Sequence, residues 1–289
     1  MSYLLHILIM IGIYIPLALS LNLIVGYGGL LSMCHAAFYG IGAYTTTLLM
    51  VNLHVPFYVS LIAGIVLSSV LSLLIAYPSL RLKGDYFVLA SLGFQIIVFS
   101  VLYNWVSLTR GPYGIPGIPR PTFFGLSLGS IWAFLLFTMI FVAISLLIFY
   151  KLYRSQYGLI LKCIRDDEMA AIAMGKDTTF YKIWAFVIGS AFAAISGALY
   201  AVYVSFIDPT SFTLDESIFI LTLVMVGGAG NLRGPLSGVV FLIILPEALR
   251  FLGLPDTIAP NVRQMIYGAL IIFLMRKRPQ GIWGEYKWK

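Results

Sequence analysis

The sequence predicts an all-α integral membrane protein, folded as a polytopic bundle of transmembrane helices. Of its 289 residues, 61% are hydrophobic and only 10% are charged, and the mean hydropathy is +0.98. A soluble domain carries about a quarter charged residues. The apolar runs reach roughly 20 residues, the length that an α-helix needs to cross a hydrocarbon core about 30 Å thick. They lack the alternation of barrel strands, so helices must satisfy the backbone polar groups.

Nine hydrophobic segments follow one another along the chain. The first lacks the basic region and cleavage site of a signal peptide and is read as a span. It joins the second through Gly26-Tyr27-Gly28-Gly29, which predicts either a tight hairpin or a broken segment. Segment 217–230 is only about 21 Å long at helical rise, so it is either a short span or a re-entrant half-helix, and the count is eight or nine. The predicted segments are 4–25, 29–51, 57–77, 86–106, 129–150, 183–207, 217–230, 235–252 and 264–275.

Charge bias predicts the orientation, because loops rich in Lys and Arg stay in the cytoplasm. Such residues occur in the loop 78–85, in the segment 151–182 and in the C-terminal tail. Segment 151–182 alone holds ten of the charged residues, six of them basic. The opposite side takes the Gly/Pro-rich segment 109–121 and the acidic turn 208–216. Parity then predicts an extracytoplasmic N-terminus and a cytoplasmic C-terminus.

Two glycine-interrupted segments share the pattern V-G-x-x-G-x-L, at 25–31 and at 226–232. Chance and the general enrichment of glycine in membrane helices are one explanation. The other is a translocation pathway at the membrane midplane, which paired broken helices in two halves of a chain indicate. Polar side chains in the spans need internal partners under both explanations, and His35 is also explained as a packed histidine. The candidate pathway residues are Asn22, Gly26, Gly29, His35, Gln95, Gly227 and Gly230.

The sequence lacks the motifs that would energise transport or catalyse a reaction. It has no G-x-x-x-x-G-K-[ST] phosphate loop and no chain of intramembrane carboxylates. Its three histidines fall in separate segments, and Cys34 and Cys163 show no metal-ligand spacing. The basic residues behind the net charge of +7 flank predicted spans instead of forming a patch for nucleic acid. We therefore expect no catalytic residues, metal or cofactor in this chain, and an energy source on separate subunits.

The charged segment 151–182 contains a predicted helical unit at 159–175. Asp166 suits the N-cap of this helix, and Asp167 and Glu168 suit its positive N-terminal end. Gly175 suits the C′ position that follows the helix. A transporter without its own energy source must present a docking surface to one, and this unit is the candidate for that surface.

The surface of the predicted unit has two explanations. Its alanines would keep one face small, and Ile172 and Met174 would add apolar knobs, as a helix inserted into the groove of another protein requires. The alternative is an ordinary amphipathic interfacial helix with solvated charges. The alanines are Ala170, Ala171 and Ala173.

At this segment the chain resembles the permeases of bacterial branched-chain amino acid ABC importers, the LivM type. The resemblance rests on the run C-I-R-D-D-E-M-A-A-I-A-M-G-K-D at 163–177 and on G-A-L-Y at 197–200. Some members carry an additional N-terminal stretch of one or two spans, so the resemblance leaves the span count open. Further similar stretches occur in the same order at 22–36, 80–89, 109–117, 227–235 and 278–284.

The resemblance implies a permease subunit, a single transmembrane domain at 1–289, that carries leucine, isoleucine and valine across the bacterial inner membrane. Its partners would be a LivH-like permease, LivG-like and LivF-like ATPases that use ATP, and an extracytoplasmic binding protein. Segment 151–182 would be the cytoplasmic coupling loop. Its ATPase-coupling residues would be Arg165, Asp166, Asp167, Glu168, Ala170, Ala171 and Gly175.

Two alternatives stay open at this point. Related permeases serve urea, short amides or other amino acids, and nothing in the spans discriminates among these solutes. A secondary carrier or channel is a different class of protein, in which the charged segment would be a plain solvated connection. Neighbouring genes for two ATPases, a second permease and a secreted binding protein would exclude the carrier.

Overall fold

The computed structural model describes residues 2–79, 84–123, 126–127, 129–250, 262, 265–266, 268–269, 272, 276 and 281–283. The helices in these residues are α1 Ser2–Asn22, α2 His35–Asn52, α3 Phe57–Ser79, α4 Asp85–Asn104, α5 Val106–Thr109, α6 Ile131–Arg154, α7 Gln156–Asp166, α8 Glu168–Ala173, α9 Thr178–Val204, α10 Leu214–Gly227 and α11 Arg233–Arg250. A π-helical turn at Leu23–Tyr27 extends α1, and 3₁₀ turns occupy Gly111–Tyr113 and Pro209–Phe212. The short strands are β1 Ile115–Pro116, β2 Thr122–Phe123, β3 Leu126–Ser127 and β4 Phe206–Ile207, paired antiparallel as β1 with β4 and β2 with β3.

The predicted helical membrane bundle is confirmed in its class. Within the described residues, five helical segments are long and apolar enough to cross a membrane. They lie at Tyr3–Tyr27, Phe57–Ser79, Asp85–Asn104, Ile131–Arg154 and Thr178–Val204. The last begins five residues before the predicted 183, because Asp177 caps it by accepting a hydrogen bond from the Phe180 amide at 3.1 Å.

The remaining predicted spans differ from the structure. The second, predicted at 29–51, becomes helical only at His35, because the chain turns at Gly29 with φ +67°. This helix, α2, is too polar to be counted as a span, and most of its side chains are buried by other helices instead of facing lipid. The predicted segments 217–230 and 235–252 form α10 and α11, which are shorter or less apolar than the five spanning segments. The predicted segment 264–275 lies largely outside the described residues.

The core of the bundle forms where α2 packs against α9, α3 and α1. A Cβ atom on Gly197 would overlap the Tyr39 carbonyl oxygen and lie 2.8 Å from the Ala43 amide nitrogen. A Cβ atom on Gly42 would lie 2.7 Å from the carbonyl carbon of Ala194. Small residues therefore let the α2 and α9 backbones touch, as in other membrane bundles. By contrast, α3, α4 and α6 leave most of their apolar side chains uncovered.

The two ends of the bundle are distinguished by contacts of α1. Near its start, His6 Nδ1 lies 2.6 Å from the hydroxyl of Tyr203, close to the end of α9. At its far end, the Gly26 carbonyl accepts a hydrogen bond from Arg165 of α7. The N-terminus and the charged segment 151–182 therefore lie at opposite ends. Which end faces the cytoplasm stays a prediction from charge bias.

Candidate functional site

The two glycine-interrupted segments meet at the α7 end of the bundle. The π-helical turn that ends α1 lies against the turn between α10 and α11. A Cβ atom on Gly26 would overlap the Asn22 side-chain oxygen and lie 2.5 Å from the Gly230 amide nitrogen. Gly228 and Gly230 have φ values of 106° and 92°, which favour glycine. We call this contact the glycine junction, and only glycine allows its backbones to come so close.

Asn22 is the central residue of the glycine junction. Its buried side chain accepts a hydrogen bond from the Gly230 amide at 3.0 Å and donates one to the Asn231 carbonyl at 2.8 Å. It also donates to the hydroxyl of Tyr153 at 3.2 Å, and Tyr153 donates to the Leu19 carbonyl at 2.8 Å. A fully satisfied buried network rigidifies the elements that it joins. One amide therefore links α1, α6 and the α10–α11 turn.

Arg165 connects the charged segment to the glycine junction. Its Nη1 donates to the Gly26 carbonyl at 2.6 Å, and only 9% of its side chain is exposed. A Cβ atom on Gly29 would lie 2.6 Å from the Arg165 Cγ, so glycine at this position makes room for the arginine stem. The guanidinium also pairs with Asp166 at 2.9 Å. The charged loop and the broken end of α1 are thus in direct contact.

The predicted single helix at 159–175 is two helices in the structure. Asp167 separates them with extended backbone at φ −154° and ψ 102°, and its side chain caps α8 by accepting from the Ala170 amide at 3.0 Å. The predicted N-cap, Asp166, is wrong: it is the last residue of α7. The predicted C′ position of Gly175 is confirmed, since Gly175 has φ +75°. The Lys176 amide bonds the Ala171 carbonyl at 3.1 Å, which completes a Schellman ending.

Side-chain contacts fix α7 and α8 to the start of α9. Glu168 accepts hydrogen bonds from Lys182 at 2.6 Å and from the Thr178 hydroxyl at 3.0 Å. Tyr157 of α7 donates to the Tyr181 carbonyl at 2.9 Å, and burial raises the pKa of the Tyr157 hydroxyl above its ordinary value. The hydroxyl therefore remains a donor at neutral pH. Glu168, which the sequence placed at a partner surface, is bonded within the chain.

The exposed face of α8 is apolar. Met169 and Ile172 of α8 and the C-cap residue Met174 are 69%, 49% and 63% exposed, whereas Ala171 is fully buried against the bundle. The predicted small face is therefore split, because Ala170 points outward and Ala171 inward. A groove of about 1020 Å³ runs beside α8, lined by the segment 28–31, the start of α4 and the α7–α8 corner. The α7 end of the bundle thus presents an apolar knob next to a groove.

The remaining predicted pathway residues, His35 and Gln95, lie toward the middle of the bundle. His35 begins α2, and its Nε2 is 2.7 Å from the Ser20 hydroxyl. Gln95 donates to the Phe212 carbonyl at 2.8 Å and accepts from the Ser217 hydroxyl at 3.1 Å. The structure therefore separates the predicted set into two groups. Asn22, Gly26 and Gly230 meet at the glycine junction, with Gly29 against Arg165 and Gly227 against α11 on its two flanks, and His35 and Gln95 belong to an inner polar layer.

Comparison with known proteins decides the family. The model for the branched-chain amino acid transport system / permease component matches residues 3–275. The chain belongs to this family. None of the solved protein structures matches it.

Relatives of this permease chain include permease proteins of two kinds of transport system. The high-affinity branched-chain amino acid transport system permease protein LivM of Salmonella typhimurium is 35% identical over 295 residues, which cover 93% of this chain and 67% of the relative. The LivH permease protein of the same kind of system in Escherichia coli is 25% identical, covering 94% and 91%. The autoinducer 2 import system permease protein LsrC of Salmonella paratyphi B is 26% identical, covering 76% and 62%.

Sequence reasoning missed how this permease packs α10 against α11. A Cβ atom on Gly227 would lie 2.7 Å from the Gly234 carbonyl carbon, and one on Gly238 would lie 2.9 Å from the Leu223 carbonyl carbon. The tail then covers the end of α10, since the Ile282 and Trp283 amides donate to the carbonyls of residues 226 and 227 at 3.0 and 2.9 Å. The G-x-x-x-G spacing of 234 and 238 was a usable signal for this contact.

Sequence reasoning also misplaced the end of the acidic turn 208–216. Glu216 lies within the bundle, where its carboxylate accepts a hydrogen bond from the Tyr14 hydroxyl at 2.7 Å. Tyr14 stands near the middle of the first spanning segment, Tyr3–Tyr27. The turn continues inward because the 3₁₀ turn at Pro209–Phe212 buries Phe212 against Tyr39 and carries the chain to the inner polar layer. The chain alone contained no signal for this inward course.

Proposed function

We propose that this chain is the membrane-spanning permease subunit of an ATP-binding cassette importer that carries leucine, isoleucine and valine. Family membership supports a role in branched-chain amino acid transport, and no phosphate loop occurs in the sequence. The observation that carries the proposal is the direct link that Arg165, near the end of α7 and next to α8, makes to the glycine junction. Such a link is what an externally driven permease requires.

In the proposed importer, α8 docks into a groove of a cytoplasmic ATPase. Met169, Ile172 and Met174 supply exposed apolar side chains on a short, well-capped helix. Helices with this pattern bind hydrophobic grooves of partner proteins. Asp166 and Ala170 lie on the exposed side and would border the contact. Arg165, Glu168 and Ala171 would act from inside, by fixing α8 to the bundle.

The proposed coupling route has three steps. Closure of the ATPases would move α8, and the ion pair between Glu168 and Lys182 would pass this movement to α9. Arg165 would pass it to the π-helical end of α1 through the Gly26 carbonyl. Asn22 would then shift the α10–α11 turn. The ATPase contact at α8 and the translocation pathway would thereby both act on the glycine junction. Coupling requires such a shared element with two arrangements, whose equilibrium both sites influence.

The partners in this proposal are a LivH-like permease, LivG-like and LivF-like ATPases and an extracytoplasmic binding protein. The chain would form one domain in the bacterial inner membrane, with its N-terminus outside and its C-terminus in the cytoplasm. The basic residues of α6, α7 and the tail support this orientation. ATP would be bound and hydrolysed by the partner subunits.

Reconstitution tests the proposal. The permease is co-expressed with the four partners, purified and placed in proteoliposomes, and uptake of radiolabelled L-leucine is measured with ATP on the ATPase side. We expect uptake that requires ATP and the loaded binding protein. Leucine uptake by the permease pair without ATPases would replace the proposal by a carrier.

The same preparation tests the substrate. Urea, acetamide and other amino acids are offered as competitors of leucine, with valine and isoleucine as positive controls. We expect competition by the branched-chain amino acids alone. Transport of urea or an amide with no leucine uptake would contradict the substrate assignment and leave the ABC permease role intact.

A further inference from the structure

The start of α10 lies at mid-depth in the bundle by two independent measures. Glu216 is bonded to Tyr14, the twelfth residue of the 25-residue segment Tyr3–Tyr27. Ser217 is bonded to Gln95, the eleventh residue of the 20-residue helix α4. Both partners stand half-way along segments that are long enough to cross a membrane. The first turn of α10 is therefore far from either membrane surface.

The two carboxylates of this turn cannot both face lipid at that depth. Asp215 is exposed on the surface of the chain and Glu216 is partly exposed. Ionisable groups inside a membrane face the bundle interior or a water-filled cavity, because hydrocarbon does not solvate them. The helix dipole favours acidic residues at this N-terminal turn but does not replace their solvation. This face of α10 must therefore border water or a polar pathway in the assembled importer.

The surroundings of Glu216 suit a cation. No Lys or Arg in the described part of the chain pairs with its carboxylate, which receives one hydrogen bond, from Tyr14. The ring of Phe219 lies edge-on to Tyr14 at 5.6 Å, and the ring of Tyr39 lies 6.5 Å from that of Tyr14. The buried hydroxyl of Tyr39 has no hydrogen-bond partner among the described residues.

We propose that Glu216 forms an acidic subsite for the α-ammonium group of the transported amino acid, half-way along the pathway. The carboxylate pairs with the ammonium, and Tyr14 orients the carboxylate. The unpaired Tyr39 hydroxyl supplies a further acceptor. The inference rests on the proposed function, because it names the part of the substrate that this permease contacts.

Charge removal at Glu216 tests the subsite in the complete importer. Glu216→Gln keeps the size of the side chain and an oxygen that accepts from Tyr14, and Glu216→Asp keeps the charge. We expect Glu216→Gln to lower L-leucine uptake at least tenfold, with Glu216→Asp retaining more uptake than Glu216→Gln. ATP hydrolysis stimulated by the leucine-loaded binding protein should stay within twofold of wild type. Asp215→Asn, the adjacent carboxylate, should lower uptake less than threefold.

The outcomes separate the alternatives. Wild-type uptake by Glu216→Gln would overturn the subsite, and so would the joint loss of uptake and stimulated ATP hydrolysis, which would assign Glu216 to assembly. Loss of leucine uptake when Na⁺ is replaced by choline would assign the carboxylate to an inorganic cation, and it would also overturn the ammonium subsite. Absence of ATP-dependent leucine uptake by the wild-type importer would instead refute the proposed function.

Thiol labelling tests the polar surroundings without relying on transport. In a Cys163→Ser background, Asp215→Cys is exposed to a charged, membrane-impermeant methanethiosulfonate in the assembled importer. We expect modification, whereas Val66→Cys, exposed at mid-length on α3, should react only with a lipid-soluble maleimide. Protection of Asp215→Cys from the charged reagent would overturn the placement of this turn at a water-filled pathway.

Discussion

Removal of the Arg165 hydrogen bond should uncouple ATP hydrolysis from transport. In Arg165→Met the stem that packs on Gly29 is largely retained, but the bond to the Gly26 carbonyl is lost. A hydrogen bond to a charged group contributes about 1.5–3 kcal/mol. Since about 1.4 kcal/mol is a tenfold change, an equilibrium biased by this bond would shift roughly 10- to 150-fold. We expect leucine uptake per ATP hydrolysed to fall at least tenfold.

The assay measures uptake and ATP hydrolysis in the same proteoliposomes. Asp166→Asn is the matched control, because Asp166 pairs with Arg165 but is 62% exposed, where ion pairs contribute little. Its ratio of uptake to hydrolysis should stay near that of wild type. An unchanged ratio in Arg165→Met would refute the coupling route through the glycine junction. Equal damage by both variants would place the effect in the ion pair and not in the bond to Gly26.

Three further substitutions probe docking and packing. Ile172→Asp places a charge on the exposed face of α8 and should abolish co-purification of the ATPases with unchanged membrane insertion; normal co-purification would contradict the docking face. Gly26→Ala overpacks the glycine junction at a cost of about 1–3 kcal/mol, and should lower uptake while the ATPases stay bound; wild-type uptake would argue against a rigid junction. Gly197→Ala should lower the thermal unfolding temperature, because the added methyl group would overlap the Tyr39 carbonyl oxygen. The control Gly93→Ala, which has open space around the added methyl group, should leave that temperature unchanged. Equal unfolding temperatures for the two variants would contradict the α2–α9 packing.

The prediction of elements succeeded where a helix faces lipid. Such helices must be apolar along their length, so hydropathy located α3, α4 and α6 within a few residues. It also located α1, which is equally apolar although other helices bury most of it. The second segment was predicted at 29–51, whereas α2 begins at His35 and carries tyrosines and threonines that partner helices shield from lipid. That this helix crosses the membrane stays a prediction. The short α10 was left open between a span and a half-helix, and its start beside Tyr14 supports the half-helix.

The roles of the predicted site residues stay a prediction, and the structure adds how these residues are arranged. The repeated V-G-x-x-G-x-L pattern named Gly26 and Gly230, which do approach each other in the structure. The family resemblance implied that Arg165 and Glu168 contact the ATPases, and the structure shows that both also bond within the chain. Composition reports which groups are polar and not which way they point, since direction depends on the neighbouring helix.

The sequence by itself determined the class of protein, the lipid-facing spans and the family, because hydrocarbon imposes a composition on every residue that touches it and family motifs are local strings. Only the tertiary structure decided that Arg165 reaches Gly26, that Asn22 joins α1 to the α10–α11 turn, and that Glu216 lies half-way across the bundle. Each of these contacts joins residues more than 100 positions apart. Their formation depends on how helices pack, and packing is a property of pairs of surfaces that no single segment contains.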